Sequence, residues 1–368
     1  MTSTLQLQLT ETFSGKRVFV TGHTGFKGSW LVQWLRELDA TVHGYALTPE
    51  STPSLFEQLK LADRLEHEVA DIRDAETLKK SLHAFQPDFV MHLAAQPLVR
   101  RSYAIPVETY ETNVMGTIHL LEALRGIHTP CSVVIVTTDK CYENHESGRA
   151  YEEDDALGGH DPYSSSKAMA EIVTAAYRNS YFQNHPVRIA TARAGNVIGG
   201  GDWAEDRIVP DAMRALNQGE SISVRNPSAV RPWQHVLEPL SGYLQLAAAL
   251  AAEPTISKGK HPGLSLCSAF NFGPSVDAKR SVADLVQEIL QHRRGTWHDA
   301  SNSEAVHEAN LLHLSIEKAE RVLGWKPLWN FEQTIAQTVT WYDQVHRKIA
   351  TPTDLTNRQI AEYGRILP

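Results

Sequence analysis

Residues 17–38 read RVFVTGHTGFKGSWLVQWLREL, and the fold turns on them. Val18, Phe19 and Val20 form an apolar run of buried-strand length. The turn Gly22-His23-Thr24-Gly25-Phe26-Lys27-Gly28 follows. Beyond it Trp30, Leu31, Trp34, Leu35 and Leu38 recur at helical spacing and give a helix one apolar face. Strand, glycine turn and helix in that order are the context in which such a turn signifies a phosphate cradle. Gly22 lets the chain leave the strand sharply, Gly25 lets the backbone approach a pyrophosphate, and Gly28 lets the helix pack closely on the strand. The free N–H groups and dipole at the helix start then hold the phosphates. The spacing is G-x-x-G-x-x-G, not G-x-G-x-x-G. An ordinary tight turn is the plainer alternative, but three glycines cost chain entropy that nothing offsets without a ligand.

Outward from this stretch, strands are predicted at 41–47, 65–70, 88–95, 132–138 and 187–194, with helices at 75–85, 107–124 and 164–181. This alternation predicts an α/β fold, a doubly wound and mainly parallel Rossmann sheet. Ligands in such sheets sit at the carboxyl ends of the strands. The rhythm breaks near Gly199. GGGDWAEDRIVPD is a Gly- and Asp-rich loop, 222–225 and 231–236 are short strand-like pieces, and 270–272 reads as a last sheet strand. The segment 244–254 reads as a buried helix stopped by Pro254. Two amphipathic helices flank Pro327 within 311–345. We therefore expect a dinucleotide-binding domain over 15–200, to which 232–273 returns, and a smaller mixed substrate-binding lobe from 201–231 and 274–368.

The chain has 368 residues, with 35 Lys+Arg against 43 Asp+Glu, a net charge of −8 that argues against a nucleic-acid surface. Cys131, Cys141 and Cys267 lack metal-like spacing and read as reduced thiols of a cytoplasmic protein. The first residues lack the basic start and apolar run of a signal peptide. No apolar run reaches membrane-spanning length. The histidines show no metal spacing, and no metal is expected.

A second motif is Tyr163-Ser-Ser-Ser-Lys167. Positions four apart share a helix face, and an ammonium beside a phenol favours the phenolate. Tyr163 is thus a candidate base near neutral pH. Alone, the pattern usually marks a solvated helix face. Here it follows a glycine turn and a strand ending in Thr-Thr-Asp.

With these residues in place the chain resembles the extended short-chain dehydrogenase/reductases that act on nucleotide sugars, from about Lys16 to Tyr342. The resemblance is carried by TGHTGFKG, ADIRD (70–74), HLAA (92–95), TNVMGT (112–117), TTDK (137–140), YSSSK (163–167) and RAGNVIGGGDW (193–203). Thr138-Asp139-Lys140 is similar to the corresponding stretch of the 4,6-dehydratases. Lys140, where most of these have Glu, resembles the members acting on a CDP-linked glucose, as do RAGNVIGGGDWAEDRIVPD and RPWQHVLEPLSGYL. The resemblance implies NAD as an internal hydride carrier and a 4-keto-6-deoxy product. Tyr163 would take the proton of the sugar 4-hydroxyl, Thr138 would bond the same oxygen, and Lys167 would tune Tyr163 and hold the nicotinamide ribose. Asp139 would be the acid for the hydroxyl leaving carbon 6. Lys140 is either the carbon-5 base or the partner that orients Asp139. A lysine is a base only where desolvation or a neighbouring cation lowers its pKa from about 10.4.

The resemblance further implies cofactor contacts from the glycine turn, from Asp71 and Ile72, and from Leu93, Ala94 and Ala95. NAD over NADP rests on it too. The second strand ends in Ala46-Leu47-Thr48, with neither the usual ribose-binding acid nor an Arg for a 2′-phosphate. Asn196, Arg207 and Arg231 match substrate contacts, and guanidinium forks suit phosphate oxygens. Family members are commonly homodimers. Two rival readings are an epimerase, which needs no acid at Asp139, and a non-catalytic NAD-sensing module, which needs no base at Tyr163.

Overall fold

The computed structural model describes residues 3–145, 148–252, 265–275, 278–301 and 312–368. The ends expected at Pro254 and Leu311 lie outside the described residues. Seven strands build the central sheet: β1 (Arg17–Thr21), β2 (Thr41–Ala46), β3 (Glu66–Val69), β4 (Phe89–His92), β5 (Cys131–Val136), β6 (Val187–Ala194) and β7 (Ala269–Phe272). Their order is β7-β6-β5-β4-β1-β2-β3, and every neighbouring pair is parallel. β5, CSVVIV, is buried at all its positions. Such a continuous apolar run suits a strand covered on both faces.

One face is covered by α1 (Thr4–Phe13), α2 (Phe26–Glu37) and, further along the chain, Leu237–Ala252. There Trp30, Trp34, Leu240 and Leu244 share a core. On the other face α3 (Ala75–Phe85) and α4 (Gly116–Leu124) bury Leu78, Leu82, Leu120, Leu121 and Leu124. The helix expected over 107–124 is real but not regular. Pro106–Tyr110 runs through a π-turn, Glu111–Met115, before α4 begins. Asn113 in that turn is buried and bonds to Gln96 and Ser166.

α2 was expected to bury one face, yet every residue from Gly28 to Leu35 is buried. The last helix, Pro352–Ile366, covers its outer side: Gln33 donates to Asn357 at 2.7 Å, and Trp34 meets Tyr363 edge-on. The end of the segment assigned above to the lobe therefore packs on the dinucleotide half. The piece expected at 231–236 is two strands. Val230–Pro232 pairs antiparallel with Lys279–Ser281, and Gln234–His235 pairs parallel with Val197–Ile198. β1 lies between β4 and β2, so the strand order reverses there. The ends of β1, β4 and β5 thus share the rim where open sheets bind ligands.

Candidate active site

A cleft of about 2590 Å³ runs along that rim. A single small ligand needs about 300–1,000 Å³, so there is room for two. Gly22, Gly25, Phe26, Lys27 and Gly28 line it. Gly22 sits at φ +74°, where a side chain is strained, and a Cβ there would stand 2.6 Å from the Ala94 nitrogen. A Cβ on Gly28 would run into the Gly22 carbonyl. The N-cap of α2 is Gly25, with no side chain bonding the helix start. That leaves N–H groups to meet an anion at the positive end of the helix.

His23 differs from its neighbours in the turn. Its ring is buried against Phe56 and bonds to Nδ1 of His67 at 2.7 Å, and burial pushes its pKa down to about 3. Only its backbone belongs to the turn. Thr24 donates its hydroxyl to the Leu47 carbonyl at 2.8 Å. Asp71, Ile72, Leu93, Ala94 and Ala95 line the same cleft. Asp71 is gripped by Arg73 at 2.6 Å, and that hydrogen bond holds its carboxyl below the usual range. Leu47 and Thr48 line the cleft beyond the end of β2, and Glu50 is held by Arg101 at 3.0 Å.

At the end of β5, Thr138 caps a short 3₁₀ turn, Asp139–Cys141. Its hydroxyl donates to Oδ1 of Asp139 at 2.9 Å. The Lys140 ammonium donates to the same oxygen at 3.2 Å and to Oδ1 of Asn196 at 3.3 Å. Asp139 is 2% exposed. Thr138, Lys140 and Gly195 line the cleft, Asp139 lies buried behind them, and a Cβ on Gly195 would stand 3.1 Å from its Oδ2.

Tyr163 stands in the first turn of α5 (Pro162–Tyr181), a helix capped by Asp161 and begun by Pro162. Here the structure departs from the expected electrostatics. The Lys167 ammonium donates to the Val136 carbonyl at 3.3 Å, and burial lowers its pKa to about 8. Burial raises the Tyr163 phenol to about 12, with Asp139 adding to the rise and a hydrogen bond from Thr138 and the charge of Arg207 opposing it. Desolvation outweighs the charge of Arg207 in the protein alone.

The family described as GDP-mannose 4,6 dehydratase matches residues 19–338. The chain belongs to this family of nucleotide-sugar 4,6-dehydratases. It is 46% identical to CDP-glucose 4,6-dehydratase of Salmonella typhimurium over 364 residues, covering 95% of this chain and 97% of that one. It is 26% identical to dTDP-glucose 4,6-dehydratase 1 of Escherichia coli, over 89% of this chain and 92% of the relative. Among solved structures it resembles DesIV, the dTDP-glucose 4,6-dehydratase of Streptomyces venezuelae with NAD and TYD bound. The TM-score there is 0.75 and the identity 25%, over 92% of this chain and 99% of that one.

Two further charged positions of this dehydratase flank the cleft. Arg207 pairs with Asp202 at 2.8 Å and lies close enough to act on the Tyr163 phenol, whereas Arg231 lines the cleft from Val230–Pro232. The Lys27 ammonium, unremarked in the sequence beyond its place in the turn, reaches the Tyr243 hydroxyl at 3.4 Å. Burial, with Arg207 and Lys167 adding to it, lowers its pKa to about 7. Sequence reasoning also passed over Glu171 and Arg193, a buried pair at 2.9 Å. An arginine inside a predicted parallel strand was the available signal, since a buried guanidinium demands a carboxylate.

Proposed function

We propose that the protein dehydrates CDP-glucose to its 4-keto-6-deoxy derivative, with NAD as internal hydride carrier. The observation that carries this is the paired Asp139 and Lys140 beside Tyr163. Oxidation at carbon 4 alone needs only the tyrosine, and the epimerase reading leaves the pair without work. The choice of CDP-glucose is supported by the Salmonella relative.

The glycine turn and the uncapped start of α2 fit a dinucleotide diphosphate. NAD, when bound, accepts the hydride of carbon 4 and returns it to carbon 6. Tyr163 takes the proton of the 4-hydroxyl, with Thr138 bonding the same oxygen. The ketone acidifies the hydrogen on carbon 5. A proton moved along the 3.2 Å contact turns the Lys140–Asp139 ion pair into a neutral amine and a carboxylic acid. The amine then removes the carbon-5 proton, and the acid protonates the carbon-6 hydroxyl, which leaves as water. Lys140 gives its proton back to carbon 5, and Tyr163 passes the proton of the 4-hydroxyl to the Asp139–Lys140 pair, which restores both and leaves no net redox change. Arg207 and Arg231 are assigned to the sugar diphosphate and Asn196 to the sugar or a phosphate, and the lobe that carries the two arginines to the substrate.

This reading includes a cytoplasmic homodimer. Val107 and Met115 beside Met169 and Ile172 leave exposed apolar positions on neighbouring helices, and the three cysteines are free thiols. Among the described residues, no helix is long and apolar enough to cross a membrane. The test is to incubate the purified protein with NAD and CDP-, dTDP-, UDP- and GDP-linked hexoses and identify products by NMR. A 4-keto-6-deoxy product from CDP-glucose is expected. A sugar inverted at carbon 4 with carbon 6 intact would overturn the reading.

A further inference from the structure

Behind the catalytic turn lies a polar group that the chemistry above does not use. Glu171 follows Lys167 by one turn of α5 and is 3% exposed. Its Oε1 accepts the Thr137 hydroxyl at 2.5 Å. Its Oε2 accepts the Thr191 hydroxyl at 2.7 Å and the Arg193 guanidinium at 2.9 Å. The other arm of Arg193 donates to the Tyr142 hydroxyl at 2.7 Å and to the Glu153 carbonyl at 2.9 Å. Tyr142 in turn donates to Asn271 on β7 at 2.7 Å.

The placement of these bonds is informative. Thr137 immediately precedes Thr138, and Tyr142 immediately follows the Asp139–Cys141 turn. The pair therefore grips the catalytic turn at both ends and ties it to the helix bearing Tyr163 and Lys167. A buried ion pair is a poor way to gain stability compared with apolar packing. Fixing two pieces of chain in one geometry is a use for which its directional bonds are suited.

We propose that Glu171 and Arg193 are positioning residues that hold Asp139 and Lys140 in register with Tyr163, so that elimination follows oxidation. This rests on the dehydratase reading. Oxidation depends on α5, whose first turn stays anchored by the Asp161 cap and by Lys167 on the Val136 carbonyl. Elimination depends on the turn, which keeps the backbone bonds of Thr137 to the Ala192 carbonyl and of Gly158 to the Cys141 carbonyl but has both of its side-chain grips weakened when the pair is broken. Misplacing a reacting group by about 1 Å can cost roughly 100-fold.

The test compares wild-type protein with Glu171→Gln, each loaded with NAD and given CDP-glucose. The readouts are turnover, the absorbance of reduced cofactor, and solvent deuterium entering at carbon 5. Turnover of the variant is expected to fall about 10- to 100-fold, with reduced cofactor building up and carbon-5 exchange slowing. Wild-type turnover, or a uniform loss with no reduced cofactor accumulating, would overturn the proposal. If Glu171→Gln does not fold, Thr137→Val removes only one grip and should show the same imbalance more mildly. Its absence there would be equally decisive. Wild-type protein that forms no keto product at all would instead refute the functional reading.

Discussion

Replacing Thr138 with valine keeps the shape of the side chain and removes one hydroxyl. That hydroxyl donates to Asp139 at 2.9 Å, and turned instead to the Tyr163 phenol it favours the ionised form. The phenol starts from an unfavourable position, pushed up to about 12 by burial. At that pKa only about one molecule in ten thousand carries phenolate at about pH 8. A hydrogen bond of this kind is worth about 1 kcal/mol net, which lifts the phenol by roughly 0.7 of a pKa unit when it is lost. The sign follows directly. Only the phenolate takes the proton, and its fraction rises tenfold per pH unit below the pKa. The variant should therefore oxidise carbon 4 about fivefold more slowly at every pH from about 6 to 10, all of which lies below the phenol. Loss of the bond from Thr138 to the substrate oxygen adds a further deficit that does not vary with pH. Single-turnover formation of reduced cofactor, followed by stopped flow from about pH 6 to 10, measures the offset. Identical rates throughout, or a deficit well below fivefold, would show that Thr138 does not act through Tyr163.

Three other changes separate the roles of the site. Tyr163→Phe should leave CDP-glucose binding intact by calorimetry and lower turnover roughly 100-fold or more. Near-normal turnover would remove Tyr163 as the base. Asp139→Asn keeps Tyr163, Thr138 and Lys167, so reduced cofactor should accumulate with little keto-deoxy product. A normal product rate in this variant would leave the epimerase reading standing. Glu238→Gln tests stability far from the chemistry. Burial lifts the Glu238 carboxyl from 4.5 to about 7 although it accepts bonds from Tyr363, Leu328 and Trp329. The folded state thus holds a proton that the unfolded chain releases. This contribution, in full below about pH 4.5, is lost as the pH rises through about 7, an upper bound of about 3 kcal/mol. The melting temperature of the wild type should fall relative to the variant between about pH 5 and 8. A constant difference over that range would refute the assignment.

The sheet was legible because its strands are apolar runs between glycine-rich or polar turns, and because α2 repeats its apolar residues at helical spacing. Strand ends were less legible. β4 was expected to run to Ala95 but stops at His92. Beyond it the Leu93 and Ala94 nitrogens turn to the Thr21 hydroxyl at 3.2 Å, which brings Leu93, Ala94 and Ala95 to the cleft. Apolar pattern alone cannot distinguish a strand from the loop that leaves it at a ligand site. The electrostatics of Tyr163 were not legible at all. Spacing places Lys167 on the same helix face, but it does not record that the Val136 carbonyl takes the ammonium or that burial dominates the phenol. Pro352–Ile366 escaped notice because its meaning lies in what it covers, the outer side of α2.

The ending of β5 shows how much chemistry can hang on one such boundary. The sequence predicts a strand through Thr138, yet β5 stops at Val136. Successive side chains of a strand point to opposite faces. Had the strand continued, Asp139 and Lys140 would have faced opposite sides of the sheet, and no proton could pass between them. The 3₁₀ turn instead folds the two side chains together, with Thr138 as its cap and the Lys140 ammonium 3.2 Å from Asp139. On the proposed reading, adjacent residues become an acid and base pair only because the backbone leaves the extended conformation there. A turn at the end of a central strand must also be held, since the ladder gives it only the Thr137 N–H on the Ala192 carbonyl at 2.9 Å. The Thr137 hydroxyl on Glu171 before the turn and the Tyr142 hydroxyl under Arg193 after it supply that hold. The early end of β5, the pairing of Lys140 with Asp139 and the buried ion pair beneath them are therefore one arrangement. Loosening the ion pair should disturb elimination sooner than oxidation.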